Sequence, residues 1–273
     1  MNYKEVLFSF QPLRPWSEIL IAYLSDLEFE SFEDIDNGVR AYIKESDFNL
    51  SDIETICNQL DCNINIDHKV IKPENWNAKW ESDFQPITIG EKCGIRADFH
   101  QPLDVEYEII ITPKMSFGTG HHATTYGMMD TMLGLDFSSK RVLDMGCGTA
   151  VLAILAEKLG SLDIQAIDIE EWAYNNAKEN VKMNGASCIN VYRGGKEEID
   201  GDFDIILANI NRNILLENMQ AYSEHLKHDG LILFSGFYEQ DLELIRDEAE
   251  CHLLKYINHN SKNNWVTAKF QKQ

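Results

Sequence analysis

The chain has little of what would mark export, a metal centre or a membrane. Its six cysteines (Cys57, Cys62, Cys93, Cys147, Cys188 and Cys251) are scattered over 273 residues with no C-x-x-C pair. That spacing supports neither a zinc site nor a disulfide framework. No basic segment leads into a long apolar run after Met1-Asn2-Tyr3-Lys4-Glu5. The later apolar stretches fall well short of the roughly 20 residues that a bilayer span needs. These absences predict a reduced, cytoplasmic setting with no membrane partner. Positive charge is also scarce, since 24 Lys and Arg face 45 Asp and Glu, for a net charge of −21. A field of that sign repels phosphate backbones, and no local basic patch stands out to offset it, so direct nucleic-acid binding is not expected. The excess acid reads as solubility or as attraction to a basic partner.

What is present describes a folded protein. Apolar residues make up 44% and charged residues 25%, enough to bury a core, and the length allows two domains. Residues 5–10 and 38–43 read as strands, and residues 63–71 as a third. Between them, Ile19, Leu20, Tyr23, Leu24 and Leu27 share one face of a helix opened by Pro15. A second helix spans residues 50–60, with Ser51 as its cap. One more strand is expected within residues 28–35, which makes residues 1–72 a small α+β, ferredoxin-like domain. Residues 73–90 read as a linker helix and connection carrying Trp76, Trp80 and Phe84. From Lys140 onward, short apolar strands alternate with helices, the pattern of βαβ units. Residues 91–273 are therefore expected to form a Rossmann-like α/β domain with a doubly wound, mostly parallel sheet.

The turn after the first strand of that unit reads Asp144-Met145-Gly146-Cys147-Gly148-Thr149-Ala150. Glycines at Gly146 and Gly148 let the backbone approach a ligand closely. Nicotinamide and flavin domains use similar turns, but they need a third glycine where this chain has Val151. They would also set a pyrophosphate beside the Asp144 carboxylate, anion against anion. S-adenosyl-L-methionine has no phosphate and carries an ammonium and a sulfonium, so Asp144 becomes an attraction. The second strand ends at Asp168, 22 residues beyond Gly146 (168 − 146), where ribose hydroxyls need an acceptor. At the end of a later strand, Asn209 is placed to accept a hydrogen bond from an amine.

Four stretches resemble the PrmA family, the methyltransferases of ribosomal protein L11. They are ENWNAKWESDF at residues 74–84, ITPKMSFGTGHHATT at 111–125, residues 144–153, and FDIILANI at 203–210. The resemblance implies a class I S-adenosylmethionine-dependent methyltransferase domain, with the first domain recognising the substrate. It also implies that Phe117, Gly118, Thr119 and Gly120 close over the donor, with Thr124 and Thr125 beside it. From the residues alone, the two glycines suggest a ligand-hugging loop and the threonines a helix cap, although both are ordinary turn residues. One departure stands out: the family usually has a Gly-Cys-Gly-Ser-Gly turn, and Ala150 here resists positive φ.

Asn209-Ile210-Asn211-Arg212 lacks the Asn-Pro-Pro-Tyr that grips planar nitrogens, so a lysine ε-amine or an α-amine suits the site better. Transfer would be an in-line displacement governed by positioning and desolvation, with no metal. His121 or His122 could take the released proton, as could water. The expected catalytic residues are Asn209 and His121. The resemblance implies ribosomal protein L11, free of the ribosome, as the partner. The alternatives are methylation of another protein or a small-molecule amine, and a non-catalytic donor-binding assembly factor.

Overall fold

The computed structural model describes residues 2–71, 84–114 and 116–273, in two units, Met1–Ala78 and Lys79–Gln273. The expected helix at residues 73–84, with Trp76 and Trp80, lies outside the described residues except for Phe84. In the first unit the order is β1 (Tyr3–Ser9), α1 (Trp16–Leu24), β2 (Phe29–Ile35), β3 (Gly38–Lys44), α2 (Leu50–Gln59) and β4 (Asn65–Ile71). The strands form one antiparallel sheet in the order β2-β3-β1-β4. Alternation places Val6, Phe8, Val39, Ala41 and Ile43 on the face that meets Leu20, Leu24, Ile53 and Cys57 of the two helices. The strand expected somewhere in residues 28–35 is β2, an edge strand with a bulge between Phe29 and Ser31. Its acids face solvent, which hides the period in the sequence. Two local expectations change. Asn49, not Ser51, caps α2 by accepting the Ser51 N–H at 3.0 Å. Tyr23 is exposed, so the buried stripe of α1 is narrower than expected.

The second unit opens with a three-stranded sheet, β5 (Ile87–Ile89), β6 (Cys93–Ala97) and β7 (Tyr107–Ile111), in that order. The sequence does not announce it, and β5 falls within the range assigned to the connection. A polar residue in the middle of β6 conceals the strand: Arg96 is buried, yet both its Nε and Nη2 donate to the Glu108 carboxylate on β7. A buried charge is tolerable when paired in this bidentate way.

The main sheet has seven strands: β8 (Arg141–Met145), β9 (Asp163–Asp168), β10 (Ile189–Arg193), β11 (Phe203–Asn209), β12 (Leu226–Tyr238), β13 (Leu254–Lys262) and β14 (Trp265–Lys272). Their order is β10-β9-β8-β11-β12-β14-β13, parallel except where β14 meets β12 and β13. Helices α3 (Ala123–Met132), α4 (Val151–Lys158) and α5 (Glu171–Met183) pack one face, through Met128, Ile154 and Ala177 among others. Helices α6 (Arg212–Glu224) and α7 (Leu242–Cys251) pack the other, through Leu215, Met219 and Ile245. This is the doubly wound α/β architecture expected. The strand order reverses direction at β8, between β9 and β11. In open α/β sheets the ligand crevice lies outside the carboxyl ends of the strands at such a switch point.

Candidate active site

A cavity of about 390 Å³ lies at that switch point, within the usual range for small-molecule pockets. Its floor is the turn after β8. Gly146 N–H and Cys147 N–H both donate to the Ile167 carbonyl on β9, at 2.8 and 3.0 Å. Gly148 lines the cavity with φ +55°, and a Cβ there would meet the Phe117 carbonyl at 2.3 Å. Only glycine lets these two backbones touch. Thr149 then fastens the Phe117 segment to the turn, its N–H donating to the Phe117 carbonyl at 2.9 Å and its hydroxyl to the Gly118 carbonyl at 2.7 Å.

Asp168 closes β9 and stands on the cavity wall. One carboxylate oxygen accepts the Gly148 N–H at 2.8 Å and the other the Glu170 N–H at 3.0 Å, so the side chain is aimed before any ligand arrives. Asp144 differs from the expectation. It is 1% exposed and sits beneath the turn, absent from the cavity wall, with Oδ2 accepting the Ala153 N–H at 3.1 Å and Oδ1 unpartnered among the described residues. Burial first, and then the nearby Asp168 charge, push its carboxyl up to about 7, against the pull of the Ala153 N–H. Any attraction it exerts on a cationic ligand acts through the turn.

Asn209 ends β11 on the opposite wall. Its Nδ2 donates to Thr125 Oγ1 at 3.3 Å, while its buried Oδ1 has no partner among the described residues. Thr125 is fully buried behind Asn209 and orients it without lining the cavity. Phe117 and Thr124 do line it. Gly118, Thr119 and Gly120 do not; Gly118 is held against Thr149, and Gly120 packs on Ile95. The helix beginning at Ala123 is capped by His122, whose Nδ1 accepts the Thr124 N–H at 3.4 Å, so the threonines are not its cap.

The two histidines divide differently from the expectation. His121 is exposed, with its ring edge-on to Phe84 at 4.9 Å, and lies off the cavity wall. His122 is the one on the wall, packed against Phe117 and Trp265, and burial holds its pKa below the ordinary value. Several wall residues carry no sequence signal. Ile169, Trp172 and Ile214 are largely exposed apolar side chains, and Trp265 arrives from β14, near the end of the chain. Exposed apolar groups gathered at a cavity mark a binding surface. The Trp172 position could have been noticed as an aromatic just after the strand-end acid. Trp265, 97 residues beyond Asp168 (265 − 168), could not.

Residues 21–273 match the family model described as ribosomal protein L11 methyltransferase (PrmA). This chain belongs to the PrmA family. It is 40% identical over 278 residues to the ribosomal protein L11 methyltransferase of Phocaeicola vulgatus, covering 99% of each chain. It is 44% identical over 261 residues to that of Porphyromonas gingivalis, covering 93% of this chain and 90% of the relative. A crystal structure of the ribosomal protein L11 methylase from Lactobacillus delbrueckii subsp. bulgaricus is similar to it at 28% identity. That match has a TM-score of 0.65 and covers 70% of this chain and all of the other. The PrmA-family chain is thus an S-adenosylmethionine-dependent methyltransferase of class I fold. Its departure at Ala150 is accommodated by strain: the residue adopts the left-handed conformation at φ 61°, ψ 21°, although it is not glycine. A buried methyl at that position offsets part of the cost of about 1–2 kcal/mol.

Proposed function

We propose that the cavity holds S-adenosylmethionine and that methyl groups pass from it to lysine ε-amines and the α-amine of ribosomal protein L11. The residues present fit the donor. Asp168 offers a preset carboxylate to vicinal hydroxyls, Ile169 and Trp172 offer apolar faces to a purine, and glycines make room at the floor. When bound there, S-adenosylmethionine supplies a methyl group on a sulfonium, open to in-line attack. The observation that carries the amine reading is Asn209: the residue lines the cavity and its buried Oδ1 has no partner among the described residues, while Thr125 holds its other end. A buried carbonyl oxygen without a partner is an acceptor waiting for an N–H. Accepting one amine hydrogen orients the nitrogen lone pair.

Presenting a neutral lysine at pH 7 costs roughly 4–5 kcal/mol, since its free pKa is near 10.4. Desolvation among Phe117, Trp265 and Ile210 offsets part of that. With His122 Nδ1 engaged at Thr124 and His121 off the wall, we assign the released proton to water. We read the first unit, with its β-α-β-β-α-β order, as the ferredoxin-like, substrate-gripping part. We place the reaction in the cytoplasm on L11 free of the ribosome, without nucleic-acid contact. We propose residues 1–72 as the recognition domain, 73–90 as the connection and 91–273 as the methyltransferase domain, with β5 of the second unit inside the connection range. The test is incubation with labelled donor and purified L11, followed by mass spectrometry of the product. Label on lysine and α-amino nitrogens supports the assignment, and label on a small-molecule amine in an extract, with none on L11, overturns it.

A further inference from the structure

Helix α5 and its C-cap carry asparagines four residues apart, Asn176, Asn180 and the capping Asn184, and all three reach one neighbouring segment. Asn184 accepts the Ile110 N–H at 2.9 Å and donates to the Ile110 carbonyl at 2.6 Å. Asn180 accepts the Thr112 N–H at 2.8 Å, and Asn176 donates to the Thr112 carbonyl at 3.3 Å. Residues four apart stack along a helix face, and alternate residues of an extended chain present backbone groups to the same side. The ladder therefore stands in for a strand along β7, which is an edge of its three-stranded sheet.

Asn180 makes one bond that the other two do not. Its Nδ2 donates to the Thr149 carbonyl at 2.9 Å, inside the glycine turn. In an uninterrupted helix that carbonyl would receive the Ala153 N–H, but Asp144 takes that N–H. Thr149 is fully buried, so without Asn180 its carbonyl would lack this partner. Thr149 is also the residue that grips Phe117 and Gly118. One amide thus joins Thr112, where the chain leaves β7 toward α3, to Thr149, which fastens the same segment further along.

We propose that Asn180 is a positioning residue for the methyl donor: by joining Thr112 to Thr149 it sets the spacing between the Phe117 segment and the glycine turn, and hence the shape of the cavity. This rests on the reading of the cavity as the donor site. Asn184 serves as the control, because it belongs to the same ladder and, among the described residues, its side chain hydrogen-bonds Ile110 and its own helix and not the glycine turn. Asn180→Ala should raise the Kd for S-adenosylmethionine on the order of tenfold or more, while kcat at saturating donor stays within about threefold. Asn184→Ala should lower the melting temperature while changing donor Kd less than about twofold.

A second readout uses no donor. Amide exchange at Thr149, whose N–H is held by Phe117, should speed up in Asn180→Ala and stay slow in Asn184→Ala. Equal effects of the two variants on donor Kd, or no effect of either, overturn the proposal. If Asn180→Ala does not fold, Thr149→Val removes the hydroxyl bond to Gly118 on the other side of the same clamp. A Kd for that variant equal to the parent's also overturns it, and a several-fold rise supports it. Ultraviolet cross-linking of S-adenosylmethionine to the parent protein separates this from the cavity reading. Adducts only at residues off the cavity wall sink both, whereas adducts on the wall with an unaffected Asn180→Ala sink the positioning role alone.

Discussion

Asp144 carries a charge that its surroundings resist. Its folded pKa of about 7 lies above the ordinary 3.8, so between those values the folded protein holds a proton that the unfolded chain has lost. Stability therefore falls as pH rises from about 4 to about 7 and levels off above, by an amount on the order of 4 kcal/mol. Asp144→Asn keeps an acceptor for the Ala153 N–H and removes the charge. Melting curves without donor should show the variant more stable than the parent at pH 8 and nearly equal at pH 4, together with weaker donor binding by calorimetry. A parent melting temperature that rises steadily through pH 4–7 along this titration would contradict the assignment. At the two walls the roles should split. Asp168→Asn retains an acceptor for the turn but loses the anion, and should weaken donor binding by about 1.5–3 kcal/mol. Asn209→Ala should spare donor binding and slow single-turnover transfer on the order of 100-fold. A normal rate at saturating L11 would return Asn209 to a structural role.

Between elements, the decisive contact is backbone on backbone. Gly148 meets the Phe117 carbonyl with no space for a methyl group, and its left-handed φ penalises any side chain as well. Gly148→Ala should therefore push the Phe117 segment off the turn, lowering stability by about 1–3 kcal/mol and donor affinity by at least as much. Calorimetry and thermal melts on one preparation check this; parental values for both would mean that the contact is not needed. Ala150→Gly acts in the opposite direction, since relief of a left-handed alanine roughly balances the loss of a buried methyl, and its melting temperature should stay within a few degrees of the parent's. The element pattern also explains what the sequence could announce. Strand β8, helix α4 and strand β9 are short apolar runs punctuated by glycine and acid, which makes the alternation from Lys140 onward legible. β5 to β7 do not, because a buried Arg96 and the paired Glu108 break the apolar signal.

For the whole molecule, each unit has its own apolar core, Val6 to Cys57 in the first and the two sheet faces in the second. A fragment of residues 79–273 should fold and bind donor within about twofold of the full chain, because every wall residue of the cavity lies beyond residue 116. Methylation of L11 should collapse in the same fragment if the first unit grips the substrate. Circular dichroism, donor titration and methyl transfer on one preparation test both halves. Efficient transfer by a folded fragment would remove the recognition role.

The sequence by itself determined the class of the second unit, the glycine turn, the strand-end acid Asp168 and the strand-end amide Asn209. These are local: a few adjacent residues must satisfy one turn or one strand end, so their types are constrained where they stand. Tertiary structure alone decided which side chains share a wall. It sank Asp144 beneath the turn, turned His121 outward and His122 inward, brought Trp265 to the cavity from β14, and used Asn180 to join two segments far apart in the chain. Such pairings depend on which helix packs over which strand edge. That is a property of the assembled sheet, and no spacing along the chain encodes it.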